Sequence, residues 1–314
     1  MSKKILFTPQ AITPQKLFEI EELMDITQDW DNRWRRMRAG DTKVRLSIYN
    51  TPRLQFSSFN YNNAIFIEGS HPKGTIMLSI IDSNDTISFA NQKLLPYELI
   101  VLKYGEEVDY LARTNNTIFT LTIEEKLFLN SFERYFGQEI DKVRVNSRLI
   151  INRLARRIIS QKILYWLKYF KNHQNPMDID ILYNIENEIL ETIFTSIEFR
   201  ERRYSKSKLD ISKVREVMHD NIQNIYTIGD LAQELKLSPR TLQYNFKLRI
   251  GFTPKEYLHQ LRLNAIREEL ISSMGEHRVS DIALKYGFFN SSHFSAEYKR
   301  VFRETPSDSI LYSR

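Results

Sequence analysis

The sequence predicts an α+β chain in two parts. The N-terminal part is an antiparallel β-barrel or jelly-roll-like (cupin-like) domain with flanking helices, and the C-terminal part is an all-α domain made of two helix-turn-helix units. Two observations carry this. Between Val44 and Ile123, short β-branched or alternating runs follow one another, separated by turn residues. Between Thr227 and Pro306, one helical phrase is written twice.

The duplication orders the C-terminal part. Asp230, Leu231 and Ala232 recur 51 positions later as Asp281, Ile282 and Ala283, while Phe246-Lys247 and Thr253-Pro254 recur 52 positions later as Tyr298-Lys299 and Thr305-Pro306. The second copy thus holds one extra residue between its halves. Leu242 and Phe246 stand four apart behind Ser238, as Phe294 and Tyr298 do behind Asn290. That spacing puts each pair on one face of a helix whose first amides the Ser or Asn can cap. Each copy reads as helix, tight turn, helix: about 228–235 and 239–249, then 280–286 and 291–301, with Gly287 at the second turn. A helix over 254–272 bridges them. At roughly 1.5 Å per residue it spans about 27 Å, near the roughly 34 Å between successive major-groove entries. One copy alone would suit any small helical bundle; two copies on a rod suit a duplex contacted twice.

The phrases SPRTLQYNF (238–246), GFTPKEYL (251–258), RLNAIREEL (262–270), DIALKYGF (281–288), HFSAEYKRVF (293–302) and the closing TPS (305–307) resemble the DNA-binding domain of AraC/XylS-type transcription regulators. RTLQ and RLNAIREELIS are most similar to the ethanolamine-utilisation regulator branch. The chain departs from the family pattern at Tyr244 and Ala296, where arginine is common, and at Arg303, where glycine usually precedes the last Thr-Pro. The resemblance implies an effector-responsive activator that binds double-stranded promoter DNA as a homodimer and recruits RNA polymerase.

With Leu242 and Phe246 turned inward, Arg240, Thr241, Gln243 and Tyr244 are left facing outward. Arginine can bond both acceptors of guanine and glutamine can pair with adenine, so Arg240 and Gln243 lead the base-contact candidates. Tyr244 can reach a phosphate or a thymine methyl. On the second helix Ser292 and His293 are base-contact candidates and Ser291 and Ser295 suit phosphate; most are short, so the first unit should carry most specificity. Lys247, Arg249, Lys299 and Arg300 are the phosphate candidates, with Arg303 beside them.

Charge alone argues less. The net charge is +6 and the pI 9.2, yet residues 209–314 hold 15 Lys and Arg against 13 Asp and Glu, residues 141–208 hold 14 against 8, and residues 1–140 hold 16 against 18. The case for nucleic acid therefore rests on local placement. With 42% hydrophobic and 12% aromatic residues over 314 positions, there is enough apolar surface for two cores. The absence of cysteine excludes disulfides, thiol nucleophiles and Cys-ligated zinc. No apolar run reaches membrane-spanning length, so a cytoplasmic protein is expected.

Residues 17–38 read as a helix, with Leu17, Ile20, Leu23 and Met24 on one side and Arg33, Arg35, Arg36 and Arg38 at its end. The strand-like runs follow: VRLSIYN, LQFSSF, AIFIEG, TIMLSII, TISFA, ELIVLKYG and TIFTLTI, with turns at Asn62-Asn63, His71 to Gly74, Ser83 to Asp85 and Asn115-Asn116. A barrel of this kind can hold a small-molecule effector. Trp30, Trp34, Tyr61, Phe66, Lys103, Tyr104 and Tyr110 are candidates to line it, core packing being the ordinary role of each aromatic. A barrel metal enzyme would need clustered histidines with a carboxylate. This part has only His71, in a Pro-Gly turn where a surface role is expected, so no metal, cofactor or catalytic residue is expected.

Residues 143–170 read as a basic amphipathic helix. Ile150, Leu154 and Ile158 form one row and Ile151, Ala155 and Ile159 the next, with Arg153, Arg156, Arg157 and Lys162 opposite. A second helix, 179–199, carries Leu182, Ile185, Ile189, Ile193 and Ile197. The pair could cap the barrel or meet its copy in a second chain. The divisions expected are a sensing domain (1–140), a helical region (141–199), a linker (200–208, RERRYSKSK) and a DNA-binding domain (209–314).

Overall fold

The computed structural model describes residues 6–12, 18–23, 30–82, 87–95, 98–112, 116–137, 148–151, 153–173, 177–198, 209–223 and 227–311. Two antiparallel sheets form the N-terminal part. The larger runs β1 (Gln10–Ile12), β4 (Lys43–Asn50), β5 (Leu54–Tyr61), β12 (Asn116–Glu124), β7 (Thr75–Asp82), β10 (Glu98–Lys103), β13 (Arg148–Ile151) and β14 (Ile197–Glu198), with β2 (Phe18–Glu19) also on β4. The smaller runs β3 (Asp31–Arg36), β6 (Ile65–Ser70), β11 (Val108–Ala112), β8 (Ile87–Phe89) and β9 (Gln92–Leu94).

Strand alternation sorts the side chains of the larger sheet onto two buried faces. On β7, Met77 and Ile81 join the core that contains Ile67, Phe89 and Tyr110 of the smaller sheet. Ile76, Leu78 and Ile80 join a second core on the other side. Because both faces are covered, these strands read in sequence as nearly continuous apolar runs. Their outer face is covered by α1 (Glu125–Phe136), α2 (Arg153–Asn172) and α3 (Ile179–Ser196), which contribute Phe128, Ile159, Phe170, Ile189 and Phe194.

The smaller sheet is also covered outside, but by the C-terminal part. Phe66 and Leu111, with Met37 and Ala64, share a core with α4 (Ile211–Asp220), α5 (Ile228–Glu234), α6 (Pro239–Ile250) and the first half of α7 (Pro254–Ser272). A fourth core takes Leu263, Ile266 and Leu270 from the second half of α7, together with Ile282 and Ala283 of α8 (Val279–Lys285) and Phe294, Tyr298 and Val301 of α9 (Ser291–Phe302). The short α10 (Pro306–Leu311) adds Ile310. Each half of α7 is buried in a different core, so its apolar residues lie nearly all round the helix rather than in one stripe.

Several expectations are corrected. The helix expected over 17–38 is not found over 18–22 or 30–38, although Leu23 is helical and residues 24–29 lie outside the described residues. Phe18–Glu19 is a strand, Ile20–Glu22 a 3-10 turn and Asp31–Arg36 a strand in register with β6, pairing Asn32 with Gly69 and Trp34 with Ile67. Of the arginines that looked like a basic helix end, Arg35 and Arg36 are buried, 9% and 3% exposed, while Arg33 and Arg38 are exposed. The helix expected from 143 begins at Arg153, after β13 pairs Ile150 with Glu98 of β10 and with Glu198 of β14. Of its two apolar rows, Ala155 and Ile159 are buried, whereas Leu154 and Ile158 are 66% and 41% exposed. The second helix stops at Ser196 and continues as a strand. His71, expected at the surface, is buried and its Nδ1 bonds the Thr75 hydroxyl at 2.9 Å. The linker, 200–208, lies outside the described residues.

Candidate nucleic-acid interface

The duplication is repeated bond for bond in the backbone. In the first copy Lys236 takes a positive φ of 55° and Leu237 N donates to Ala232 O at 2.8 Å. In the second, Gly287 takes 87° and Phe288 N donates to Ala283 O at 3.0 Å. These left-handed residues turn the chain sharply enough to start a second helix within a few positions. Ser238 then caps α6 by accepting from Thr241 N at 3.1 Å, and Asn290 caps α9 by accepting from His293 N at 2.9 Å. The extra residue of the second copy is Phe289, 67% exposed at the tip of that turn.

Both helices end alike. Gly251 and Arg303 each adopt the left-handed conformation, with N–H groups bonded to Lys247 O and Lys299 O. Arginine thus occupies the glycine conformation, and its Nε donates to Asp41 Oδ1 at 2.8 Å. The next helices begin on matching boxes. The Thr253 hydroxyl accepts from Glu256 N and the Thr305 hydroxyl from Asp308 N, each at 3.2 Å. Hydrogen bonds from the Thr227 and Thr305 hydroxyls and amides hold the Asp230 and Asp308 carboxyls below the usual range.

On α6, Leu242 and Phe246 are fully buried, and burial of such side chains stabilises by roughly 1.5–3 kcal/mol each. The Phe246 ring meets Tyr257 of α7 edge-on at 5.4 Å. This anchors the helix with Arg240, Thr241, Gln243, Tyr244 and Lys247 exposed. The Thr241 hydroxyl also meets that of Ser238 at 2.7 Å. Arg249 is half-buried and its Nη1 donates to Leu209 O at 3.2 Å, which ties it to the start of α4. On α9, Phe294 and Tyr298 are buried while Ser291, Ser292, His293, Ser295, Lys299 and Arg300 are exposed. Glu297 gathers its neighbours: Arg300 Nη2 lies 3.2 Å away, His259 Nε2 of α7 2.9 Å and His293 Nδ1 3.8 Å.

Residues 231–309 match the family model described as a helix-turn-helix domain. The C-terminal third is a helix-turn-helix domain, similar to those of AraC/XylS-type regulators. An XylDLEGF operon transcriptional activator of Pseudomonas putida is 30% identical over 127 residues, 40% of this chain and 38% of that relative, so the match spans well under half of the relative. The HTH-type transcriptional activator RhaS of Shigella dysenteriae is 24% identical over 247 residues, 68% of this chain and 84% of its own. Among solved structures, the AraC-like transcriptional activator CuxR aligns over 83% of this chain and 96% of its own at 13% identity, with a TM-score of 0.43.

The helix-turn-helix domain is joined to the smaller sheet by polar bonds as well as by the shared core. Arg36 N donates to Asn264 Oδ1 of α7, and Asn264 Nδ2 donates back to Arg36 O. Arg35 pairs with Glu68 at 2.7 Å and Glu268 at 3.3 Å, and Gly40 N donates to Arg300 O at 3.1 Å. Arg215 of α4 reaches Asp109 Oδ2 at 2.6 Å, Asn91 Oδ1 at 2.5 Å and the Tyr257 hydroxyl at 2.9 Å. Burial opposes the Arg215 charge, but Tyr257 and Asp109 outweigh it and keep its pKa above the usual range. Burial pushes the Tyr257 hydroxyl up to about 12.

Between the two sheets lies a cavity of about 50 Å³ lined by Trp30, Asn32, Trp34, Phe59, Phe89 and Tyr110, among others. Of the aromatic and charged candidates, Trp30, Trp34 and Tyr110 line it. Tyr61 bonds the Tyr110 hydroxyl, and Phe66 faces the helix-turn-helix domain instead. Asn32 was missed, because its strand was read as helix. Among the described residues no cluster of three or more His, Cys, Asp and Glu side chains could hold a metal ion, and no helix is long and apolar enough to cross a membrane.

Proposed function

We propose that the chain is a sequence-specific DNA-binding transcription regulator of the AraC/XylS type, an effector-responsive activator that acts in the cytoplasm. The observation that carries this is the pairing of α6 and α9: two helices with equivalent caps, turns and buried anchors, mounted on one rod with their polar faces exposed. In this reading Arg240 and Gln243 contact base edges, with Thr241, Tyr244, Ser292 and His293 beside them. Lys247, Ser291, Ser295 and Lys299 meet phosphates. Arg249 and Arg300 do so while also bonded to Leu209 and Glu297.

The cavity between the sheets is the effector site, and RNA polymerase is the partner of the bound complex. A homodimer through α2 is favoured by the exposed apolar residues Leu154, Ile158 and Tyr165, which remain uncovered after the opposite face has capped the larger sheet. The RTLQ and RLNAIREELIS phrases favour the ethanolamine branch, whereas the cavity lining carries no carboxylate to match an ammonium group.

The test is selection of DNA fragments by the purified full-length chain, followed by footprinting. A recovered motif with two protected segments about one helical turn apart is expected. Uniform protection without a motif would instead make this an architectural DNA protein, and turnover by the sheet domain would make it an enzyme with a DNA-binding tail.

A further inference from the structure

The two helix-turn-helix copies differ in the approach to the second helix. In the first copy Leu237, whose amide bonds Ala232 O, packs against the core below α6 and is followed at once by the cap Ser238. In the second copy Phe288 makes the equivalent bond to Ala283 O and fills the equivalent place, its ring 5.2 Å from that of Phe294 and 5.4 Å from that of His259. Phe289 is therefore an added residue that takes no place in the core, and it stands exposed directly before the cap Asn290. Beyond it, Ser291, Ser292, Ser295 and Ala296 of α9 are all exposed and short. A helix with so low an outward face can approach base edges closely, and its leading end carries one large apolar ring.

Resting on the reading of α9 as a groove-reading helix, we infer that Phe289 is the specificity-determining residue of the second unit and packs against the C5-methyl group of a thymine. The N-terminal end of the second helix is the part of such a unit that meets base edges. In the major groove the thymine methyl is the apolar feature, and the other three bases lack it. Covering ring and methyl together removes both from water and needs no hydrogen-bond partner. The three residues that follow Phe289, namely Asn290, Ser291 and Ser292, are polar and exposed. A lone ring among polar groups suits a groove edge, where single methyl groups stand among polar atoms. A serine hydroxyl both donates and accepts, so Ser291 and Ser292 distinguish bases weakly, and sequence preference falls to the ring.

The experiment measures binding of the full-length chain to a selected DNA site in which each thymine of the second protected segment is replaced in turn by deoxyuridine. That base keeps the hydrogen-bonding edge and lacks only the methyl group. At one position the replacement should weaken wild-type binding about four-fold, the factor that corresponds to one buried methyl group. Phe289→Ala should bind the thymine site at least about four-fold more weakly than wild type and should no longer distinguish thymine from deoxyuridine there. Phe289→Leu, which stays apolar, should keep part of the discrimination. The ratio of the two affinities comes from one preparation, so any loss of folded protein cancels. A ratio in Phe289→Ala equal to the wild-type ratio at every thymine, or a selected second segment without thymine, overturns the inference. Unchanged DNA binding with a loss of transcription by added RNA polymerase also overturns it, and would place the ring on a protein surface. A chain that selects no motif at all fails the proposed function and this inference with it, whereas a selected motif with an unaltered ratio fails this inference alone.

Discussion

Asn264 and Arg36 bond to each other in both directions: Arg36 N donates to Asn264 Oδ1 at 3.2 Å and Asn264 Nδ2 donates to Arg36 O at 2.8 Å. A side-chain amide on α7 thus serves as the neighbour that the end of β3 would otherwise find in another strand. Asn264→Ala leaves both buried main-chain groups of Arg36 without these bonds and should destabilise the full-length chain by about 1–3 kcal/mol in urea unfolding. The same change in a fragment of residues 209–314 should cost much less, because there the partner strand is missing. Equal losses in the two would show that Asn264 serves α7 alone.

Arg303 occupies a conformation that glycine adopts without strain, at a cost on the order of 1 kcal/mol, while its side chain reaches Asp41. Arg303→Gly should therefore stabilise the fragment 209–314 by about 1 kcal/mol. In the full-length chain the gain should be smaller, since the contact with Asp41 is lost. Thermal unfolding of the four proteins measures this difference directly.

The two kinds of proposed DNA contact should separate in binding assays. Arg240→Ala should cost about 1–3 kcal/mol on a selected site and relax preference at one base pair. An equal loss on random DNA would remove its base-reading role. Lys299→Ala should weaken binding to every sequence alike and lower the salt slope by about one, and a slope that stays put would mean that it touches no phosphate.

Acid should loosen the fold through two histidines, His71 buried and His219 half-buried. Burial and the adjacent Arg215 hold the His219 imidazole below its usual 6.5, among Glu68, Arg35 and Asp109, and burial lowers His71 as well. A lowered folded pKa means that the unfolded chain takes up the proton first. The stability these groups contribute is complete above pH 6.5 and is lost as the pH falls below it toward the lowered folded values. Urea midpoints should drop across that window in the wild type and drop less in His219→Gln. An identical slope in the variant would exclude His219 as a source.

The helix-turn-helix half was legible because its determinants are local. Caps at Ser238 and Asn290, left-handed turns, and apolar pairs four apart are decided within a few residues, and the duplication supplied an internal check. Most strands between Val44 and Ile123 were legible for the same reason, but Gln92–Leu94 and Val108–Ala112 were not. The stretch over 31–36 was not: Trp34, Arg35 and Arg36 satisfy a helical reading, and only pairing with β6 makes them a strand. The α1 helix and the α4 helix, each apolar on a face, were not recognised either.

The sequence by itself determined the second helix of each helix-turn-helix unit, the rod between the units and the outward placing of Arg240 and Gln243, because helix periodicity and end caps act over one or two turns. Only the tertiary structure decided that the outer face of the smaller sheet completes the first helix-turn-helix core, that Arg35 and Arg36 are buried against α7, and that Asn32 and Trp34 share a cavity wall. Those relations depend on contacts between elements far apart in the chain, more than two hundred positions for Arg36 and Asn264, and on the packing of one sheet against the other around the cavity. They depend on which surfaces are left to bury once each local element has formed, and no local pattern records that.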